Sequence, residues 1–392
     1  MAIVLIPGIK GSELVDTYPL AWPTRWSLED MVIGDIGENP LDLALLDGRY
    51  DAHDAHRLQA SRPLRYAYGE MVGKLRAWRA PESLYVFTYD WRRPIEQAAA
   101  KLVEFCAEIE GRLKSLGRSQ PLHFISHSMG GLVLRSALGL RNARDPFAGV
   151  GRVVFIAPPF RGSVGAVKML VAGEKDGWFG TDEDYRRIAR SFPSVYALTP
   201  GYAGAAVDEQ GAEVDLFDAR NWQANVRDGG EFRAEFLAGA EALLRGRRAR
   251  HGGSSPAPLL PDTALAANAE RVLVLQSAGV ATPRQLPVQV RNARNPNWCD
   301  FAGVSSDLQG DGRVHLASSA VPGVTLAAYA GAADHGRVCR DSRIINTVSL
   351  FLEGKKALRM TPRGPDDSAT RRGRRYFEPW DGDAGDFDDY IA

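Results

Sequence analysis

Ser128 stands at the centre of Phe124-Ile125-Ser126-His127-Ser128-Met129-Gly130-Gly131-Leu132-Val133, where an apolar run meets a helix-like run through a turn of small residues. A serine raised on such a turn can attack an acyl carbon once a base takes its proton. The turn strains the backbone of the central residue, so the positions two places to either side must be small. Ser126 and Gly130 meet that demand, although a glycine is more usual where Ser126 stands. In architectures that present a serine this way, an acid and then a histidine follow it along the chain. Of the seven histidines, His315 and His335 come late enough, and His335 lies in Ala333-Asp334-His335-Gly336, between the last strand-like run and the last helical pattern. Asp300, Asp307, Asp311 and Asp334 are the acid candidates. Asp311 is flanked by Gly310 and Gly312, a turn that lets a carboxylate enter a cleft, whereas Asp334 adjoins His335 too closely to orient it.

Ser128, Asp311 and His335 are therefore the candidate catalytic set. His335 would accept the Ser128 proton and return it to the departing alcohol. Asp311 would fix the imidazole tautomer and stabilise the imidazolium. The tetrahedral oxyanion needs two preorganised donors, each worth on the order of 10²–10³ in rate. The backbone N–H of Met129 is the first candidate. The second comes from the turn Ile6-Pro7-Gly8-Ile9-Lys10-Gly11, with the Ile9 N–H as the choice. This chemistry calls for no metal and no cofactor.

The elements that must position these groups are short apolar runs alternating with helical patterns, which implies a mainly parallel sheet covered on both faces. Strand-like runs are Ala2 to Ile6, Leu84 to Tyr89, Leu122 to Ser126, Arg152 to Ala157, Arg271 to Gln276 and Val324 to Tyr329. Ile95, Ala98, Leu102, Phe105, Ile109 and Leu113 recur at helical spacing after Pro94. Met129 to Leu140 reads as the helix after the serine, and Ile344 to Leu352, closed by Gly354, as the last. The expectation is an α/β-hydrolase fold, with residues 1–160 and 270–353 as core. Residues 11–62, rich in Trp, Pro and Asp, form a first cap segment, and 161–269 form a lid insertion. Residues 354–392 form a charged, flexible tail whose acidic, aromatic end, Tyr376 to Tyr390, reads as a solvated end or, alternatively, as a segment for a protein partner.

Composition narrows the functional classes. A chain of 392 residues that is 45% hydrophobic can bury a large core. With 48 basic and 48 acidic residues the formal net charge is zero, so no global field draws it to nucleic acid. Cys106, Cys299 and Cys339 are odd in number and unevenly spaced, and read as free thiols. The opening Met1-Ala2-Ile3-Val4-Leu5-Ile6-Pro7-Gly8 does not read as a secretory signal, and no run approaches a bilayer span, which sets the expectation of a cytoplasmic protein. Any membrane contact would be local and transient; Trp22 and Trp26 are candidates for it or for packing inside the cap.

The serine turn, Pro7-Gly8, Tyr66-Ala67-Tyr68-Gly69, Tyr89-Asp90-Trp91-Arg92, Pro159-Phe160-Arg161-Gly162-Ser163 and Gly310-Asp311-Gly312-Arg313-Val314 together resemble the lecithin:cholesterol acyltransferase family. They occur in that family's order and cover most of residues 1–353. The resemblance implies an enzyme that cleaves or transfers an acyl group of a lipid ester. It implies Ser128, Asp311 and His335 as the triad, the Ile9 and Met129 amides as oxyanion hole, and a lid after Pro159-Phe160 over an acyl pocket. Trp91 and Phe160 are the candidate pocket residues; for the Tyr-Asp-Trp-Arg motif the other reading is a buried Asp–Arg pair stiffening a strand end. Arg313 departs from the small residue usual at that place in the family. Three rivals stand beside a phospholipase-like or lipase-like enzyme. They are an esterase for small soluble substrates, a partner-regulated effector that damages membranes by hydrolysing their lipids, and a binding protein that keeps the fold without turnover.

Overall fold

The structure is a computed structural model. It describes residues 1–16, 25–26, 43–45, 58–78, 83–174, 181–246, 258–289, 297–331, 333–355, 360–362 and 377–379. Trp22 and most of the tail lie outside these residues.

Six parallel strands form the central sheet. They are β1 (Ala2–Ile6), β5 (Leu84–Val86), β6 (Leu122–His127), β7 (Val150–Ile156), β9 (Val272–Ala278) and β12 (Thr325–Ala330), in the spatial order β12-β9-β7-β6-β1-β5. The order explains the sequence pattern, because strands covered on both faces read as continuous apolar runs. In β1, Ala2, Val4 and Ile6 enter one core while Ile3 and Leu5 enter the other, the two-residue period of a strand. Helices α2 (Ile95–Ser115) and α3 (Gly130–Arg141) supply buried residues to the first core, and α1 (Arg65–Trp78) and the last helix, α11 (Ser342–Glu353), to the second.

The chain passes from β1 to the edge strand β5, then returns to the other side of β1 as β6 and continues outward. The connection therefore reverses direction between β1 and β6. Parallel sheets open a crevice at the carboxyl ends of the strands at such a switch. The turns leaving β1 and β6, Pro7 to Gly11 and Ser128 to Gly130, both sit there.

One strand boundary changes, and two further segments contain regular structure. The run Leu84 to Tyr89 is a strand only to Val86, because its neighbour β1 ends at Ile6; the Phe87 N–H still reaches the Leu5 carbonyl. The first cap segment contains regular structure: β2 (Ser12–Asp16) pairs antiparallel with β3 (Arg25–Trp26) and β4 (Leu58–Pro63). From the tail, β13 (Met360–Pro362) and β14 (Phe377–Pro379) pair as an antiparallel ribbon. Between β7 and β9 about half of the described residues are helical, including α4 (Val164–Val171), α5 (Asp182–Ser191) and α8 (Ala234–Arg245), with a short strand β8 (Ala206–Val207) among them. Outside the central sheet, β8 pairs with β10 (Thr282–Pro287), which pairs with β11 (Ser305–Asp307).

Candidate active site

Ser128 follows the last residue of β6 with φ at 52°, a left-handed conformation that side-chain-bearing residues seldom adopt. The strain is held from both sides: the Ser128 N–H donates to the Ile156 carbonyl at 2.8 Å, and the Ser128 carbonyl accepts from Gly131 N–H at 2.8 Å. Helix α3 starts immediately after it, so the serine stands between a strand end and a helix N-terminus.

His335 lies between β12 and α11. Its Nε2 is 2.8 Å from Ser128 Oγ and its Nδ1 is 2.7 Å from Asp311 Oδ2. With a carboxylate accepting at Nδ1, that nitrogen carries the hydrogen and Nε2 is free to accept the serine proton. The three groups are buried, with 4%, 9% and 0% exposure for Ser128, His335 and Asp311. The His335 backbone N–H also donates to the Asp311 carbonyl at 2.9 Å, which ties the two loops together.

The Asp311 turn is built around its carboxylate. Oδ1 accepts from the backbone N–H groups of Val314 at 2.8 Å and Arg313 at 3.1 Å, leaving Oδ2 to His335. Gly312 sits at φ 92°, where a side chain would be strained, and its N–H donates to Thr282 Oγ1 at 2.8 Å. The discarded candidates take other places. His315 Nε2 lies 3.2 Å from Asp307 Oδ1, its ring stacks on Tyr202, and its Nδ1 accepts from Ala317 N–H. Asp334 is half exposed and faces Arg337.

The turn after β1 comes against the serine from the other side. A Cβ on Gly8 would sit 2.7 Å from Ser128 Cβ, so only glycine allows the approach. The Ile9 and Met129 N–H groups, the expected oxyanion donors, donate to no described residue. Trp91 is buried with its indole N–H on the Ser12 carbonyl at 2.9 Å and its ring edge-on to Phe192. Beside it the Asp90 carboxylate grips Arg92 through Nε at 2.9 Å and Nη2 at 2.7 Å, the buried pair that was the alternative reading of this motif. Phe160 lies against Phe155 and under the Arg135 guanidinium. Among the described residues no hydrogen bond or ring contact joins Trp91 or Phe160 to Ser128, Asp311 or His335.

Three residues about the site have roles that sequence reading did not assign: Tyr68, Tyr89 and His127. Tyr68 Oη lies 2.7 Å from His127 Nδ1, and the His127 ring centroid is 5.0 Å from that of His335. Burial first, and then neighbouring His335, holds the His127 imidazole well below its ordinary range, so it stays neutral. Tyr68 and Tyr89 fall inside motifs that were conspicuous in the sequence, but their partners are distant in the chain.

Residues 56–223 match the lecithin:cholesterol acyltransferase family. A curated relative, lecithin-cholesterol acyltransferase-like 4 from Arabidopsis thaliana, is 29% identical over 143 residues, covering 34% of this chain and 26% of that protein. The chain thus spans about a quarter of the length of the curated relative it matches. Among solved structures, a chain from the crystal structure of the Tle4–Tli4 complex superposes with a TM-score of 0.59 at 13% identity, over 90% of this chain and 98% of that one. At that identity the likeness is one of fold, and the fold is that of the α/β-hydrolases.

Proposed function

We propose that this chain, whose residues 56–223 belong to the lecithin:cholesterol acyltransferase family, is a serine hydrolase that cleaves or transfers the acyl group of lipid esters. The observation that supports it most is the buried hydrogen-bonded run from Asp311 through His335 to Ser128 at the switch point of the sheet. In this reading Ser128 Oγ attacks the ester carbonyl as its proton passes to His335 Nε2, and Asp311 stabilises the imidazolium. The oxyanion is met by the Ile9 and Met129 N–H groups. Collapse releases the alcohol portion, which takes the proton back from His335 and leaves an acyl-Ser128 ester. Water or a second alcohol, activated by the same imidazole, then accepts the acyl group and frees the serine.

The domain division belongs to the proposal. Residues 1–160 and 270–353 act as the catalytic body, 161–269 as a lid over the acyl chain, and Trp91 and Phe160 as walls beneath it. Contact with a lipid surface is local and transient in this reading.

The test is product identification by mass spectrometry after wild type and Ser128→Ala are incubated with vesicles of mixed phospholipid and neutral lipid. Fatty acid with lysolipid, or a new acyl ester, formed by wild type alone is expected. Products formed equally by Ser128→Ala would remove Ser128 from the mechanism. Turnover of small soluble esters with no response to vesicles would redirect the reading to an esterase.

A further inference from the structure

Tyr68, on α1, and Tyr89, beyond the end of β5, send their hydroxyls to the two ends of one peptide bond. Tyr89 Oη donates to the Pro7 carbonyl at 2.9 Å, and the Gly8 N–H donates to Tyr68 Oη at 2.9 Å. The Pro7 C=O and the Gly8 N–H belong to a single planar unit, so bonding both fixes the tilt of that plane. Both phenols are buried, at 2% and 3% exposure, and so compete with no bulk water for these bonds.

Tyr68 is directed in turn by His127. Because the Gly8 N–H can only donate, the Tyr68 oxygen accepts there, and its one hydrogen goes to His127 Nδ1 at 2.7 Å. A one-way chain results, from Gly8 N–H to Tyr68 O–H to His127, ending on the residue next to the nucleophile. His127 Nε2 then carries the ring hydrogen.

The need for such a restraint follows from Gly8 itself. The position must be glycine, since a Cβ would meet Ser128 Cβ at 2.7 Å. A glycine, however, leaves its own φ and ψ almost unrestricted. Rotation there would swing the next amide, Ile9 N–H, away from the carbon that Ser128 attacks. Close approach and rigidity cannot both come from the residue. The Gly8 carbonyl, in the same peptide unit as the Ile9 N–H, accepts from the Gly11 N–H at 3.0 Å. The Pro7–Gly8 unit on the other side of the rotating bonds needs an anchor of its own.

We propose that Tyr68 and Tyr89 are positioning residues that clamp the Pro7–Gly8 peptide and thereby aim the Ile9 N–H at the oxyanion, with His127 setting the direction of the Tyr68 hydroxyl. The inference rests on the acyl-transfer reading of Ser128. It assigns no chemistry to the phenols, which stay protonated and touch no reacting atom.

The experiment compares wild type with Tyr68→Phe, Tyr89→Phe and the double variant, using p-nitrophenyl butyrate for turnover and a boronic acid that becomes a tetrahedral anion on Ser128. Each single variant is expected to lose about 10- to 100-fold in kcat with KM within about twofold. Boronate affinity should fall by the same factor as kcat, because the oxyanion donor acts on the tetrahedral state. The double variant should fall little below the worse single one, since both phenols hold one peptide. Should Tyr68→Phe fail to fold, Tyr89→Phe carries the comparison alone. Unchanged kcat and boronate affinity in the folded variants, or a loss confined to KM or to thermal stability, overturns the clamp while leaving Ser128 its role. A wild type that neither turns over the ester nor binds the boronate overturns the acyl-transfer reading, and the clamp with it.

Discussion

Among single residues, the serine turn shows how one strained position organises its surroundings. Ser128 at φ 52° is tolerable because two backbone hydrogen bonds and the close-fitting Gly8 leave it no other place. Two histidines of β6 are shielded from water as well, His127 beside the serine and His123 towards the start of the strand. His123 is held at about 4, by burial first and then by nearby positive charge including Arg152, and His127 lies well below its ordinary range. Unfolded imidazoles titrate near 6.5, so between that value and about 4 the unfolded chain binds protons that the folded one refuses. Stability from His123 is therefore intact above about pH 6.5 and is lost as the pH falls through about 4, and the lowered His127 acts in the same direction. Urea unfolding midpoints should drop steadily from pH 7.5 to pH 5, with a shallower drop in His123→Gln. A midpoint indifferent to pH over that interval would contradict the assignment. That Ser128, Asp311 and His335 would come together was legible because their turns are short, glycine-bearing and ordered along the chain. Tyr68 and Tyr89 were not, since nothing linear announces that two phenols from separate elements meet at one peptide.

At the level of elements, all six strands of the central sheet were readable, with ends within three residues, because burial on both faces makes each a continuous apolar run. Helix α1 was not. Its buried residues Ala67, Tyr68, Met71 and Leu75 do recur at helical spacing, but Gly69 and Gly73 interrupt it, and each costs about 1 kcal/mol relative to Ala. Only packing against the sheet resolves that ambiguity. The last helix was readable at its C-terminal end, where Gly354 closes α11 at φ 77°; its start, expected at Ile344, lies at Ser342, where Asp341 caps the helix by accepting the Arg343 N–H at 2.9 Å. Asp341 also holds the Arg343 guanidinium, through Nη2 at 2.8 Å and Nε at 3.1 Å. Asp341→Ala should cost about 1–2 kcal/mol in unfolding free energy, measured by urea titration. Loss of activity at unchanged stability would show instead that this cap serves the neighbouring His335 loop.

Across the whole molecule, the body and the segment that returns to it before β9 are joined through a charged knot. Arg135 of α3 and Arg161, just beyond β7, both reach Asp262, at 2.9 Å and 2.6 Å. Arg135 is nearly buried, its side chain 6% exposed, and its Nε also donates to the Leu260 carbonyl at 3.0 Å. Burial lowers its pKa, and the Asp262 charge works against that shift. Asp262 is partly exposed but Arg135 is buried, so removing the carboxylate leaves a buried guanidinium with less compensation, and Asp262→Ala should destabilise the fold by about 1–3 kcal/mol. A change under about 0.5 kcal/mol in urea unfolding would mean that the Leu260 carbonyl alone satisfies Arg135. These ties set the frame around a site at the sheet's switch point, which sequence order implied but could not locate between particular strands. Among the described residues no helix is long and apolar enough to cross a membrane.

The most direct measurement is the mass of the protein itself during turnover. Wild type mixed with an activated acyl ester and quenched in acid within milliseconds should gain one acyl group, located by peptide mapping on Ser128, and lose it as product appears. An adduct on another residue, or steady turnover by Ser128→Ala with no adduct at all, would contradict the acyl-serine mechanism.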